Sequence, residues 1–175
     1  KLGAIIEYDI PVKTNVASKI TAISKEEQDG YLIFTNDISS NTINSIVLDT
    51  LGYKIQSFNL GTNNIDIGSQ DSYMSVSPNH KHLAIGHIKA GNNFLEIFDI
   101  DNQTGTITLN KTIDLKLTAP DKIYGITFSP NNNLIYVTIK SNVNSKLLQV
   151  QISNQTVNTI YSGSEKLAAI MYGPL

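Results

Sequence analysis

Three observations on this 175-residue sequence predict an all-β fold of consecutive four-stranded antiparallel units. No long stretch places apolar residues at i, i+3, i+4 and i+7, the spacing of a helical face. Short β-branched and aromatic runs alternate with clusters of Asn, Asp, Gly and Ser, as strands alternate with turns. A Ser-Pro-Asn turn flanked by apolar strands occurs at Ser77 and again 52 residues later at Ser129.

In chain order the expected strands are 4–10, 19–24, 31–36, 44–50 and 54–59. An Asn-rich loop over 61–71 precedes strands 73–77, 82–87, 94–99 and 106–114. A loop over 116–122, broken by Pro120, leads to 124–129, 134–139, 146–152 and 157–162, and 167–172 closes the series. The connectors Asp29-Gly30, Leu51-Gly52, Thr104-Gly105 and Ser162-Gly163 supply glycines able to take positive φ. Only 17–28 has a helical alternative, with one turn around Lys25-Glu26-Glu27.

The repeat sets the architecture. Tyr73-Met-Ser-Val-Ser-Pro-Asn matches Tyr124-Gly-Ile-Thr-Phe-Ser-Pro-Asn, and each is followed by a polar turn and a strand starting at Leu83 or Leu134. Weaker copies begin at Leu167 and at Lys19. Four strands per 40–50 residues is the spacing of β-propeller blades. Proline ends the first strand of each copy, and Asn79 or Asn131 is expected to take the left-handed turn position. The strands Leu83-Ala84-Ile85 and Leu134-Ile-Tyr-Val137 are continuously apolar, as in a sheet covered on both faces. A two-sheet sandwich allows the same strand lengths but does not usually repeat one turn at this spacing. The expectation is a partial β-propeller occupying 1–175. Its blades are 19–60, 73–115 and 123–162, and 1–18 and 163–175 are strands of flanking, incomplete blades.

At these residues the chain resembles known propellers. Phe128-Ser-Pro130 followed by Leu134-Ile-Tyr-Val-Thr138 is similar to lactonase-like repeats with a Tyr-Val-Thr-Asn core, with Ile139 in place of the Asn. The series Lys19-Ile-Thr-Ala-Ile23, Tyr73–Pro78, Leu95–Gly105, Ile123–Pro130 and Leu167–Pro174 resembles the N-terminal propellers of large secreted Bacteroidetes proteins. Those proteins often carry the gliding-motility-associated C-terminal domain read by type IX secretion. The resemblance implies a secreted or cell-surface location and a binding or adhesive role, and supplies no catalytic residues. That family usually has Asp-Gly where this chain has Asn79-His80 and Asn131-Asn132. It usually continues beyond the Gly-Pro element at 173–174, so the chain is expected to be part of a larger propeller.

Composition narrows the function classes. The chain has 13 Lys and no Arg, 15 acidic residues, three His and no Cys, for a net charge of −2. Such a balance offers no clustered basic face for nucleic acid. The lack of Cys excludes disulfides, thiolate metal sites and a cysteine nucleophile. No apolar run reaches the roughly 20 residues of a bilayer span. At 16% charged, with Asn, Ser and Thr instead, the surface suits an extracellular protein or an A/T-rich genome.

No residue stands out as catalytic, cofactor-binding or metal-ligating. For His80, His82 and His87 no nearby carboxylate completes a ligand set, and 82 and 87 differ by an odd number, which puts them on opposite faces of a strand, so they read as exposed turn histidines. The run Asp99-Ile-Asp-Asn-Gln-Thr-Gly105 departs from a calcium loop, with Gln103 at the fifth position, Gly105 at the seventh and Asn110 at the twelfth. It reads instead as a capped strand turn. A propeller lactonase would draw on Glu7, Asp37, Asp71 or Glu96, and nothing in the sequence distinguishes them. Gly-x-Ser-x-Gly is absent. Tyr73, Phe94, Phe98, Tyr124, Phe128 and Tyr136 read as core rather than as a sugar-stacking platform. Asn102, Asn110 and Asn154 begin N-glycosylation patterns that matter only in a eukaryotic secretory pathway. Asp49-Thr50-Leu51 resembles the Bacteroidetes O-glycosylation motif, which makes Thr50 an expected glycan site.

The reading is a non-enzymatic binding module for adhesion or surface assembly, with an unidentified protein or glycan partner and the remainder of its own propeller. A lactonase-like enzyme acting on a small or sugar-derived substrate is the alternative. A scaffold subunit with partner-covered edges is a third.

Overall fold

The computed structural model describes residues 11–26, 29–38, 40, 42–59, 73–89 and 91–171. They form three antiparallel four-stranded sheets, each a simple meander. The first comprises β1 (Val16–Ser24), β2 (Gly30–Asp37), β3 (Thr42–Asp49) and β4 (Gly52–Asn59). The second comprises β5 (Met74–Val76), β6 (His82–Lys89), β7 (Asn92–Ile100) and β8 (Ile107–Thr118). The third comprises β9 (Lys122–Phe128), β10 (Leu134–Lys140), β11 (Ser145–Gln151) and β12 (Thr156–Gly163). The first strands of the sheets, β1, β5 and β9, stand side by side, with β5 in the middle. This is the arrangement of three blades of a partial β-propeller.

Period-2 alternation explains how the sheets stack. Leu83 and Ile85 of β6 pack toward the first sheet against Leu32, Phe34, Ile43 and Val47. Ala84, between them, joins the opposite layer with Ile123, Ile126, Ile135 and Val137 of the third sheet. The continuous apolar run in β6 therefore serves both faces of a middle blade, as the sequence predicts. Gly86 continues the run because an added Cβ would stand 2.6 Å from Ile123 Cγ2. The first sheet's other face leaves Ile20 65% exposed, with the cross-strand row Tyr31, Leu48 and Tyr53 also exposed.

The structure corrects several boundaries. The expected strand at 4–10 and the loop at 61–71 lie outside the described residues. The 116–122 loop is shorter than expected, since β8 continues through Thr118 and β9 begins at Lys122. The segment 167–171 is not paired as a strand. It runs against β9 and β10 instead: Thr138 Oγ1 donates to the Ala168 carbonyl at 2.8 Å, and a Cβ on Gly125 would stand 2.7 Å from Ile170 N. The helical alternative fails at its start, because β1 spans Val16–Ser24.

The repeated turn has the same wiring in both copies. Ser77 Oγ accepts from His82 N at 2.9 Å and donates to Asn79 Oδ1 at 2.7 Å. Ser129 Oγ accepts from Leu134 N at 3.0 Å and donates to Asn131 Oδ1 at 2.7 Å. The left-handed residue is not Asn79 or Asn131, as the sequence suggests, but the next one: φ is 57° at His80 and 62° at Asn132. The physical reason is that the Asn carboxamides already serve as acceptors for the serine hydroxyl and for Lys81 N or Asn133 N. The two turns are also joined, Asn79 N donating to Asn132 Oδ1 at 3.1 Å. Relieving the left-handed strain at His80 by His80→Gly is expected to raise stability by about 0.5–1 kcal/mol, after the entropy cost of glycine. A urea midpoint unchanged or lowered relative to the parent would contradict this.

Candidate functional site

The inner strands form one wall of a cleft of about 480 Å³ on the channel side of the blades. Its lining comes from 21–23 of β1, 73–78 around β5, 126–128 of β9 and 169–171. The side chains available there are Thr, Ser, Ala, Val, Ile, Met, Pro, Phe and Tyr, and His80 is its one histidine. No carboxylate lies among the lining residues. Hydrogen bonding and shape recognition are the chemistry such a wall offers.

The acids named from the sequence are elsewhere. Asp37 accepts from Asn44 Nδ2 at 2.7 Å and lies 3.5 Å from Lys13 Nζ, at the end of β2. Glu96 is buried on β7, facing the first sheet. Glu7 and Asp71 lie outside the described residues. Among the described residues no three of His, Asp and Glu come together in a way that could hold a metal ion.

The histidines separate into three environments. His80 is in the turn, and His82 Nδ1 lies 2.9 Å from Asp99 Oδ1 on the neighbouring strand. His87 is not an exposed turn histidine but is buried between the first two sheets. Its Nε2 lies 3.3 Å from Glu96 Oε2 without the alignment of a hydrogen bond. Lys19 is buried beside it, its Nζ donating to the Gly86 carbonyl at 2.9 Å. Burial chiefly, and then repulsion from Lys19, holds the His87 imidazole below its ordinary pKa of 6.5, against the attraction of Glu96. His87 is therefore neutral at pH 7. In the unfolded chain it takes up a proton near 6.5, before the folded chain does, so stability is full above that pH and falls below it. The loss is at most about 1.4 kcal/mol per pH unit. His87→Gln should flatten the midpoint-against-pH curve below about pH 6.5. An equally steep curve in the variant would assign the dependence to other groups.

Asp99–Gly105 is a turn, as the sequence suggests: Asp101 Oδ1 accepts from Gln103 N at 2.9 Å and Thr104 N at 3.2 Å. The Thr104 side chain first, and then the Thr104 and Gln103 amides, hold the Asp101 carboxyl below its usual range. Asn102 ties this turn to the first sheet, accepting from Glu26 N and donating to the Ser24 carbonyl. Asn110 Nδ2 is bound to both Asp99 carboxylate oxygens, and Asn154 Oδ1 to Thr156 N. Thr50 is exposed in the two-residue hairpin loop between Asp49 and Gly52.

The aromatic set divides. Phe98 and Phe128 are buried, and Phe94 and Tyr136 are half-buried. Tyr73, 43% exposed, and half-buried Tyr124 instead sit at the starts of two inner strands, with ring centroids 5.4 Å apart and nearly edge to face. Core packing is thus wrong for Tyr73. The Tyr73 N–H donates to the Tyr124 carbonyl at 2.9 Å, so backbone pairing fixes the two rings together.

No helix among the described residues is long and apolar enough to cross a membrane. No family model matches the chain, and no curated protein matches it. Solved structures do. The β-propeller domain of Cps50 (Swd1) from Myceliophteria thermophila is 11% identical, with a TM-score of 0.56 over 85% of this chain and 42% of its own. The periplasmic gluconolactonase of Pseudomonas aeruginosa is 13% identical, with a TM-score of 0.59 over 82% and 39%. A protein from Lactobacillus plantarum is 13% identical, with a TM-score of 0.59 over 85% and 41%. The chain spans about two-fifths of each of these structures. At such identities the likeness shows the fold alone, and the fold is that of a β-propeller arc.

Proposed function

We propose that this chain is part of a non-enzymatic binding propeller of a secreted or cell-surface protein, serving adhesion or surface assembly. One observation carries the reading: the channel-side cleft offers hydroxyls and apolar side chains with no carboxylate among its lining residues. Fold does not fix function, and blades recur in binding modules and enzymes alike. The exposed row on the first sheet (Tyr31, Leu48 and Tyr53) is the proposed seat of a further blade of the same propeller, and Thr50 the proposed glycan site. The Bacteroidetes resemblance supports both the location and the glycan. Added hexose mass on the native protein that disappears in Thr50→Ala tests the glycan.

The alternative is a propeller lactonase, prompted by the Tyr136-Val-Thr138 resemblance and by a fold shared with proteins such as the gluconolactonase. Continuous titration of glucono-δ-lactone hydrolysis separates the readings. Acid release at the uncatalysed rate is expected. Saturable hydrolysis well above that rate would replace the binding module with an enzyme.

A further inference from the structure

A second cleft, of about 470 Å³, lies between the start of β9, the loop after β10 and residues 166–168. Its lining holds Lys140, Lys166, Tyr124, Ser141, Asn142 and Ser145, and no acidic residue. Lys140 also stands directly opposite Lys122 on the neighbouring strand. Like charges so placed repel and weaken a strand pair. By contrast, Asp121 holds Lys146 at 2.7 Å, and Asp114 holds Lys116 at 2.9 Å. Among the described residues Lys122, Lys140 and Lys166 have no ion pair. In a chain with more acids than lysines, two lysines lining an acid-free cleft, with Lys122 across the strand from one of them, mark a place for an anion.

Tyr124 narrows the class of anion. Lys140 Nζ lies 6.0 Å from its ring centroid, and Tyr73 braces the ring from the side. An aromatic surface flanked by cations, serine hydroxyls and an Asn carboxamide suits a ring that has an apolar face, hydroxyls at its rim and a carboxylate. We infer that this cleft binds a carboxylated saccharide, with Lys140 and Lys166 on the carboxylates, Tyr124 under a sugar ring, and Ser141 and Asn142 on hydroxyls. The inference rests on the binding-module reading and names a ligand class for it.

The test is titration calorimetry of the protein at low salt with polygalacturonate, dextran and polyglutamate as probes. Polygalacturonate should bind and dextran should not. Lys140→Gln with Lys166→Gln should weaken binding at least about tenfold, as loss of charge-assisted hydrogen bonds does. Tyr124→Leu should weaken it about fivefold while Tyr124→Phe retains it. Lys81→Gln, on another face, is the charge control, and circular dichroism verifies that each variant is folded. Polygalacturonate binding that is absent, or unchanged in the double lysine variant, overturns the site. Equal binding of polyglutamate with no effect of Tyr124→Leu overturns the saccharide assignment in favour of general anion attraction. Lactone turnover with polygalacturonate binding intact would remove the non-enzymatic reading and leave this site standing.

Discussion

Phe34→Ala should lower the unfolding free energy by about 3–5 kcal/mol, the range for emptying a buried aromatic site. Phe34 has no exposed surface and lies in the layer between the first two sheets, with Leu83, Ile85 and Phe98 from the second. Neighbouring strand backbones are fixed by paired ladders, β2 to β3 and β6 to β7, so the cavity cannot close by collapse. Since a domain of this size is stable by only about 5–15 kcal/mol, the variant should unfold at far lower urea. With no Trp and eight Tyr in the chain, far-ultraviolet circular dichroism or tyrosine fluorescence gives the midpoint. A loss under about 1 kcal/mol would show that the two sheets do not depend on each other through this layer.

The second large effect belongs to Asn93. Its side chain is fully buried on β7. Nδ2 donates to the carbonyls of Asp121 at 2.9 Å and Leu117 at 3.3 Å, and Oδ1 accepts from Ile123 N at 3.0 Å. One carboxamide thus satisfies the backbone where the chain passes from the second sheet to the third. Asn93→Ala strands a buried N–H and two carbonyls, and the expected cost is about 2–4 kcal/mol. Native-state hydrogen exchange gives the sharper readout, with the Ile123 amide losing protection before its neighbours on β10. Unchanged Ile123 protection would mean that other groups hold this crossing.

The two residues differ in how visible they are in the sequence. Phe34 lies in Tyr31-Leu-Ile-Phe-Thr35, an apolar strand run bounded by Asp-Gly, and reads directly as core. Asn93 follows Gly91-Asn92 and reads as a turn residue in a chain full of Asn turns. Lys19 is similar: a lysine reads as solvated, yet this one is buried against the Gly86 carbonyl on another sheet. His87 is misread as exposed for the same reason. Burial of a polar side chain depends on which strand from a distant segment covers it, and local pattern carries no such information.

The candidate clefts divide the same way. The Ser-Pro-Asn turns that border the channel are legible because their serine, proline and asparagine act locally on the backbone. The lysine and tyrosine cleft is not, since Tyr124, Lys140 and Lys166 are separated in the chain and no spacing rule joins them. The exposed aromatic at Tyr73 could have been suspected only from its place at the first position of a strand.

The all-β class, all twelve described strands to within a few residues, and the three four-stranded units are readable from residue order alone. Those features rest on period-2 alternation, turn chemistry and a repeated motif, all of them local. Tertiary structure decided which residue of each turn is left-handed, where the polar side chains are buried, and which lysines share a cleft. These depend on hydrogen-bond competition and on packing between sheets, where residues far apart in the chain set each other's environment.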